Sequence, residues 1–209
     1  MTHIQIIDLK INNIRSLVKS LESISETNVS VCDNYSECKS SSLTILPGVG
    51  KFGIASKALI DFGFNDVLSE TFTKGDKILG ICLGMQLLGN ESEESPGSAG
   101  LGLIPGTSKR LPNLSGERIP HIGWAEVSKV DQISFSPAQI SEKDFYFVHS
   151  YYFEPKSEDN IISKTPYGSF LFPSIIGIDD CVIGVQFHPE KSSNIGQQFL
   201  SEIIKWANE

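Results

Sequence analysis

Two separated stretches of this chain carry residues able to do covalent chemistry together. The first is Gly80-Ile81-Cys82-Leu83-Gly84-Met85-Gln86, a cysteine between glycines after the apolar run Lys77 to Ile81 and before a short helical pattern. Glycines around a nucleophile at a strand-to-helix turn let the backbone bend sharply and present the side chain at the sheet edge. A thiol at a helix N-terminus also gains thiolate character, because unpaired N–H groups favour negative charge there. The second stretch is Gly184-Val185-Gln186-Phe187-His188-Pro189-Glu190-Lys191-Ser192. If it is extended, residues two apart point the same way, which sets the His188 imidazole beside the Glu190 carboxylate. Cys82 would then be a nucleophile, His188 its base and later acid, and Glu190 the group that fixes the imidazole. Taken singly, the first motif also describes a tight turn over a buried thiol, and the second a His-Pro-Glu turn closing a strand.

The elements that must position these groups read as an α/β fold, with a mostly parallel central sheet flanked by helices and a strand-rich second half. Ile4 to Leu9 is a buried strand. Ile14, Leu17, Val18, Leu21 and Ile24 follow at helical spacing. Val29 to Val31, Leu43 to Leu46 and Lys77 to Ile81 are the next strands, and Ile54 to Thr73 is helical with a break near Gly63. From Leu103 onward Gly/Pro turns separate β-prone runs, including Phe145 to Phe153 and Val182 to Phe187. A helix through Phe199, Ile203 and Trp206 closes the chain. Glu91 to Ala99, rich in Glu, Ser and Gly, reads as an exposed loop.

The chain has 209 residues, 40% apolar and 20% charged, which suits one well-buried domain spanning 1–209. A net charge of -8 without a Lys/Arg cluster argues against nucleic acid or an anionic membrane as a partner. The opening MTHIQIIDLK has no signal-peptide pattern, and no apolar run approaches the roughly 20 residues of a membrane span, so a cytoplasmic setting is expected. Cys32, Cys38, Cys82 and Cys181 lack paired spacing, and no residue set has metal-ligand spacing; neither metal nor cofactor is expected.

The motifs GICLGMQ and FHPEKS, with the turn Pro47-Gly48-Val49-Gly50, together resemble a class I glutamine amidotransferase domain. Within that class, Pro120 to Trp124, Phe147 to Tyr152 and Gly100 to Gly106 resemble the glutaminase subunits of imidazole glycerol phosphate synthases. The resemblance runs from about Ile4 to Trp206. It implies Cys82, His188 and Glu190 as the triad, and an oxyanion hole of the Leu83 N–H and an amide of Gly48 or Val49. It further implies that Gln86 contacts L-glutamine, that Glu94 receives its ammonium, and that the Ser150 and Tyr151 backbone holds its carboxylate. Asn13, Arg15, Trp124, Tyr146 and Lys191 match interface and gate positions towards a (β/α)8-barrel cyclase that accepts the ammonia as the other half of a heterodimer. His121 and His149 fall outside the triad as structural or interface histidines.

The chain departs from the pattern in places. Asp8-Leu9-Lys10-Ile11-Asn12-Asn13 stands where Asp-Tyr-Gly-x-Gly-Asn is usual, Ala125 where Asn follows Gly-Trp, Gly89 where an aromatic is common, and Phe153 follows His-Ser-Tyr-Tyr. None touches the triad. They leave open the acceptor, since similar glutaminase–cyclase pairs serve amidation of surface-polysaccharide sugars. A noncatalytic regulatory module of the same fold is the reading from another class, opposed by the intact triad.

Overall fold

The computed structural model describes residues 1–11, 14–129 and 142–209. Its centre is a nine-stranded sheet in the order β2-β1-β3-β4-β12-β11-β10-β7-β8. The first five strands are mutually parallel: β2 (Thr27–Cys32), β1 (Thr2–Ile7), β3 (Leu43–Gly48), β4 (Lys77–Cys82) and β12 (Val182–Val185). Beyond them β11 (Phe170–Ile178), β10 (Ile161–Tyr167), β7 (His121–Lys129) and β8 (Lys143–His149) run antiparallel. A separate three-stranded sheet joins β5 (Glu91–Ser92), β6 (Gly106–Arg110) and β9 (Tyr151–Pro155). The run Phe145 to Phe153, expected as one strand, is therefore split at Ser150 between two sheets.

Helices cover both faces, as buried parallel strands require. Leu79 and Ile81 of β4 pack in one cluster with Leu17 and Leu21 of α1 (Arg15–Glu22) and Phe199 and Ile203 of α5 (Ser193–Trp206). Ile78, pointing the other way, joins Phe52 and Leu59 of α2 (Phe52–Asp61) and Phe64 and Leu68 of α3 (Phe64–Lys74). The break near Gly63 is real: that residue adopts φ +73 between α2 and α3, a left-handed conformation that a side chain would strain. These layers fix β4 between β3 and β12, with Gly48 opposite Cys82 and Val185 opposite Ile81. The ends of three strands are thereby gathered at one sheet edge, where parallel α/β folds place their ligands.

Candidate active site

The elbow is built differently from the way its glycines suggest. Neither Gly80 nor Gly84 has a positive φ; the bend falls on Cys82 itself, at φ 54 and ψ -107. A non-glycine residue held there stores about 1–3 kcal/mol, tolerated because β3 and β12 clamp the strand on both sides. The glycines serve close approach. A Cβ on Gly84 would lie 1.8 Å from the Leu46 carbonyl oxygen, and one on Gly80 would lie 2.9 Å from the Gly84 carbonyl. The short helix α4 (Leu83–Leu87) can thus start directly over β3, which leaves Cys82 buried at its N-terminus.

His188 Nδ1 lies 2.8 Å from Glu190 Oε1, both groups largely withdrawn from solvent. The pair forms by another route than strand alternation. β12 ends at Val185, His188 is extended, and Pro189–Lys191 is a 3-10 turn that swings the carboxylate back onto the imidazole. Proline suits the first position of that turn because it has no N–H to leave unpaired. Burial would depress the His188 pKa, but the Cys82 sulfur and the Glu190 carboxylate outweigh it and raise it to about 10. The other ring nitrogen, Nε2, has no hydrogen-bond partner among the described residues and is buried. The imidazole is therefore fixed at one nitrogen and uncommitted at the other, beside the sulfur.

Gly48, the last residue of β3 beneath the elbow, sits so close that a Cβ would come 2.8 Å from Leu83 Cβ and 2.9 Å from the Gly84 nitrogen. Gly50 follows at φ +111, which requires glycine there. The Pro47 to Gly50 turn thus lies against the first residues of α4, in reach of where a tetrahedral oxyanion on a Cys82 adduct would need N–H donors.

A cavity of about 440 Å³ opens in front of the sulfur, with Val49, Cys82, Gln86, Glu94, Ser150 and Tyr151 in its wall. Glu94 is no bystander in a solvated loop: its Oε2 accepts the Phe52 N–H at 2.7 Å, capping α2, and neighbouring Ser92 is buried in β5. Gln86 donates from Nε2 to the Tyr151 carbonyl at 2.9 Å. That carbonyl also meets His149 Nδ1 at 2.9 Å. A carbonyl can only accept, so His149 carries its proton on Nδ1, and its Nε2 accepts from His121 Nδ1 at 3.2 Å. Burial drives the His149 pKa down to about 3 and lowers that of His121, which keeps this pair neutral.

The sequence model of the glutamine amidotransferase class-I family matches residues 5–205. The chain belongs to the class I glutamine amidotransferases. It is also 39% identical to the imidazole glycerol phosphate synthase subunit HisH of Methanopyrus kandleri, over 98% of each chain. The HisH subunit of Methanocaldococcus jannaschii is 40% identical, over 97% of this chain and 98% of its own. This amidotransferase is therefore a member of the HisH family. A solved glutamine amidotransferase shares the fold at TM-score 0.76 and 16% identity, covering 99% of each chain, and the structure of PurLQS from Thermotoga maritima does so at 0.72 and 19%, again covering 99% of each.

Of the remaining expected positions of the amidotransferase among the described residues, Lys191 alone lines the cavity in front of Cys82. Trp124 is half exposed on β7 and stacks edge-on with Tyr146 at 6.1 Å. Tyr146 also accepts the His188 N–H at its carbonyl, 2.9 Å away. Lys191 lines both the main cavity and a second one of about 230 Å³, which reaches behind the Gly48 turn to Ile14 and Ser16 beside Arg15. Asn13 lies outside the described residues. At the departure in the first loop, Lys10 adopts φ +60, held by its N–H on Asp8 and its ammonium on Asp33. Ala125 packs against the core, opposite Phe145.

One residue of the site was not singled out from the sequence. Gln186, fully buried, has its Oε1 3.2 Å from Gln86 Nε2 and its Nε2 3.6 Å from Cys82 Sγ. The signal was present: an amide inside the apolar run Val182 to Phe187 must find partners in the interior.

Proposed function

We propose that this chain is the glutaminase subunit of an imidazole glycerol phosphate synthase, hydrolysing L-glutamine to glutamate and ammonia and passing the ammonia to a (β/α)8-barrel cyclase in a cytoplasmic heterodimer. Cys82 Sγ attacks the substrate carboxamide carbon. The oxyanion is received by the Leu83 N–H and an amide of Gly48 or Val49. His188, oriented by Glu190, gives its Nε2 proton to the departing nitrogen, and ammonia leaves a γ-glutamyl thioester on Cys82. A water deprotonated by the same imidazole then attacks the thioester, and glutamate leaves. Gln86, Glu94 and the Ser150–Tyr151 backbone hold the amino-acid end, with Glu94 facing the ammonium.

The observation that carries this reading is the convergence of Cys82, strained into an elbow, with a His188–Glu190 pair and a cavity whose wall contains Glu94. Identity of 39–40% to HisH subunits along nearly the whole chain supports the histidine-pathway acceptor over a surface sugar. Trp124, Tyr146, Arg15 and Lys191 are assigned to the face towards the cyclase. No helix among the described residues is long and apolar enough to cross a membrane.

The test separates the two half-reactions. Cys82→Ala, and nearly as fully His188→Ala, abolishes glutamine-dependent synthesis by the complex while ammonia-dependent synthesis persists. Equal loss of both in a folded variant contradicts the assignment.

A further inference from the structure

We propose that Gln186 belongs to the reaction machinery: its side-chain amide, held in one orientation by Gln86 and the Tyr151 carbonyl, donates an N–H to the Cys82 sulfur and stabilises it as the attacking thiolate. The inference rests on Cys82 being the nucleophile.

The orientation of this amide follows from a fixed starting point. Oxygen and nitrogen of a side-chain amide are assigned from their partners, and a chain of amides is only as certain as its anchor. Here the anchor is a backbone carbonyl, Tyr151 O, which must be met by donors. Gln86 therefore presents its NH2 group there, at 2.9 Å. The second hydrogen of that group is directed to Gln186, 3.2 Å away, so Gln186 must answer with its oxygen. Its nitrogen is left pointing at Cys82 Sγ, 3.6 Å away. The reverse orientation would set two NH2 groups against each other and a lone pair against the sulfur.

Burial gives the contact its consequence. Gln186 is fully shielded and Gln86 and Cys82 nearly so. A donor at a buried sulfur favours its anionic form, since no water can take over the task. The Val148 carbonyl, 4.0 Å from the sulfur, is an acceptor and serves the neutral thiol alone, weakly. Gln186 thus complements His188: the imidazolium supplies charge and the amide a directed hydrogen bond. The backbone N–H of Gln186 is bonded to the Ser174 carbonyl, so the strand is held independently of the side chain. Gln86 acts through Gln186 as a positioning residue, and its own Oε1 remains for a ligand in the cavity.

The test is alkylation of Cys82 by iodoacetamide, read by peptide mass spectrometry across a pH series. The substitutions are Gln186→Met, which keeps the length and removes the amide, and Gln86→Met, which frees Gln186 to turn. For Gln186→Met we expect about tenfold slower labelling at neutral pH, with the deficit closing as pH rises, and a fall in kcat with KM little changed. Gln86→Met shows a smaller deficit of the same form. Labelling that is unchanged, or slowed equally at every pH, overturns the proposal. Should Gln186→Met not fold, a pH-independent result for Gln86→Met overturns it alone. Alkylation requires neither glutamine nor a partner; if the glutaminase assignment fails, wild-type protein lacks glutamine turnover yet still gives this labelling contrast.

Discussion

The ring of Phe153 fills the space above Gly89: a Cβ on Gly89 would lie 2.1 Å from Phe153 Cε2. Gly89, on the chain after α4, and Phe153 of β9, two positions where the sequence departs from the family resemblance, thus share one space. Gly89→Phe alone overpacks this site and destabilises the fold by about 1–3 kcal/mol. Phe153→Ala alone opens a cavity costing about 3–5 kcal/mol. Combining them restores part of the loss, and chemical denaturation of the double-mutant cycle should return a favourable coupling well beyond additivity. Additive losses would mean that the two residues do not share one space.

Glu190→Gln leaves a neutral group against His188 Nδ1, in place of the carboxylate now 2.8 Å away. Glutamine turnover should fall by about 10²- to 10⁴-fold, the range expected when a general base loses its orienting charge. Ammonia-dependent synthesis by the complex is the control. The raised His188 pKa also sets a stability trend. The proton is held more tightly in the folded state, so this contribution is complete below about pH 6.5 and lost as pH rises towards about 10. The variant should show a shallower alkaline decline in urea denaturation.

Gly84→Ala places a methyl group 1.8 Å from the Leu46 carbonyl, which no side-chain adjustment relieves. The start of α4 must lift away from β3. Stability should drop by about 3 kcal/mol, and Cys82 should lose its place over the Gly48 turn. Circular dichroism melting and glutaminase assays together check this; retained stability with full activity contradicts close approach as the reason for glycine.

His149 titrates in the opposite sense to His188. Its pKa is lowered by burial to about 3, so between pH 6.5 and 3 the unfolded chain binds a proton that the folded chain refuses. Stability falls with acid across that window, at up to about 1.4 kcal/mol per pH unit, and levels off below it. His149→Asn, whose amide can still donate to the Tyr151 carbonyl, should remove up to one proton from the acid slope. An unchanged slope would mean that His149 accepts its proton while folded.

The parallel half of the sheet and its covering helices were legible because each strand is a short apolar run and each helix an amphipathic stripe, as with Leu17 and Leu21 over Ile4 and Ile6. The split at Ser150 was not, since a β-prone run does not say which sheet each half joins. In the site, Cys82, His188 and Glu190 could be named from residue type and motif. Their geometry could not: the pair forms through a 3-10 turn, and the elbow glycines allow contact rather than a positive φ. Glu94 looked solvated because its partner, the Phe52 N–H, is distant in sequence. Gln186 was hidden for the same reason, its partners being Gln86 and Cys82 across the sheet edge.

The most direct measurement is glutamate release from L-glutamine by the purified chain, alone and with the histidine-pathway cyclase of the same genome carrying its nucleotide ligand. The account predicts strong stimulation by the loaded cyclase that vanishes in Cys82→Ala. Glutamate release that the cyclase leaves unchanged, or that survives the loss of Cys82, would contradict it.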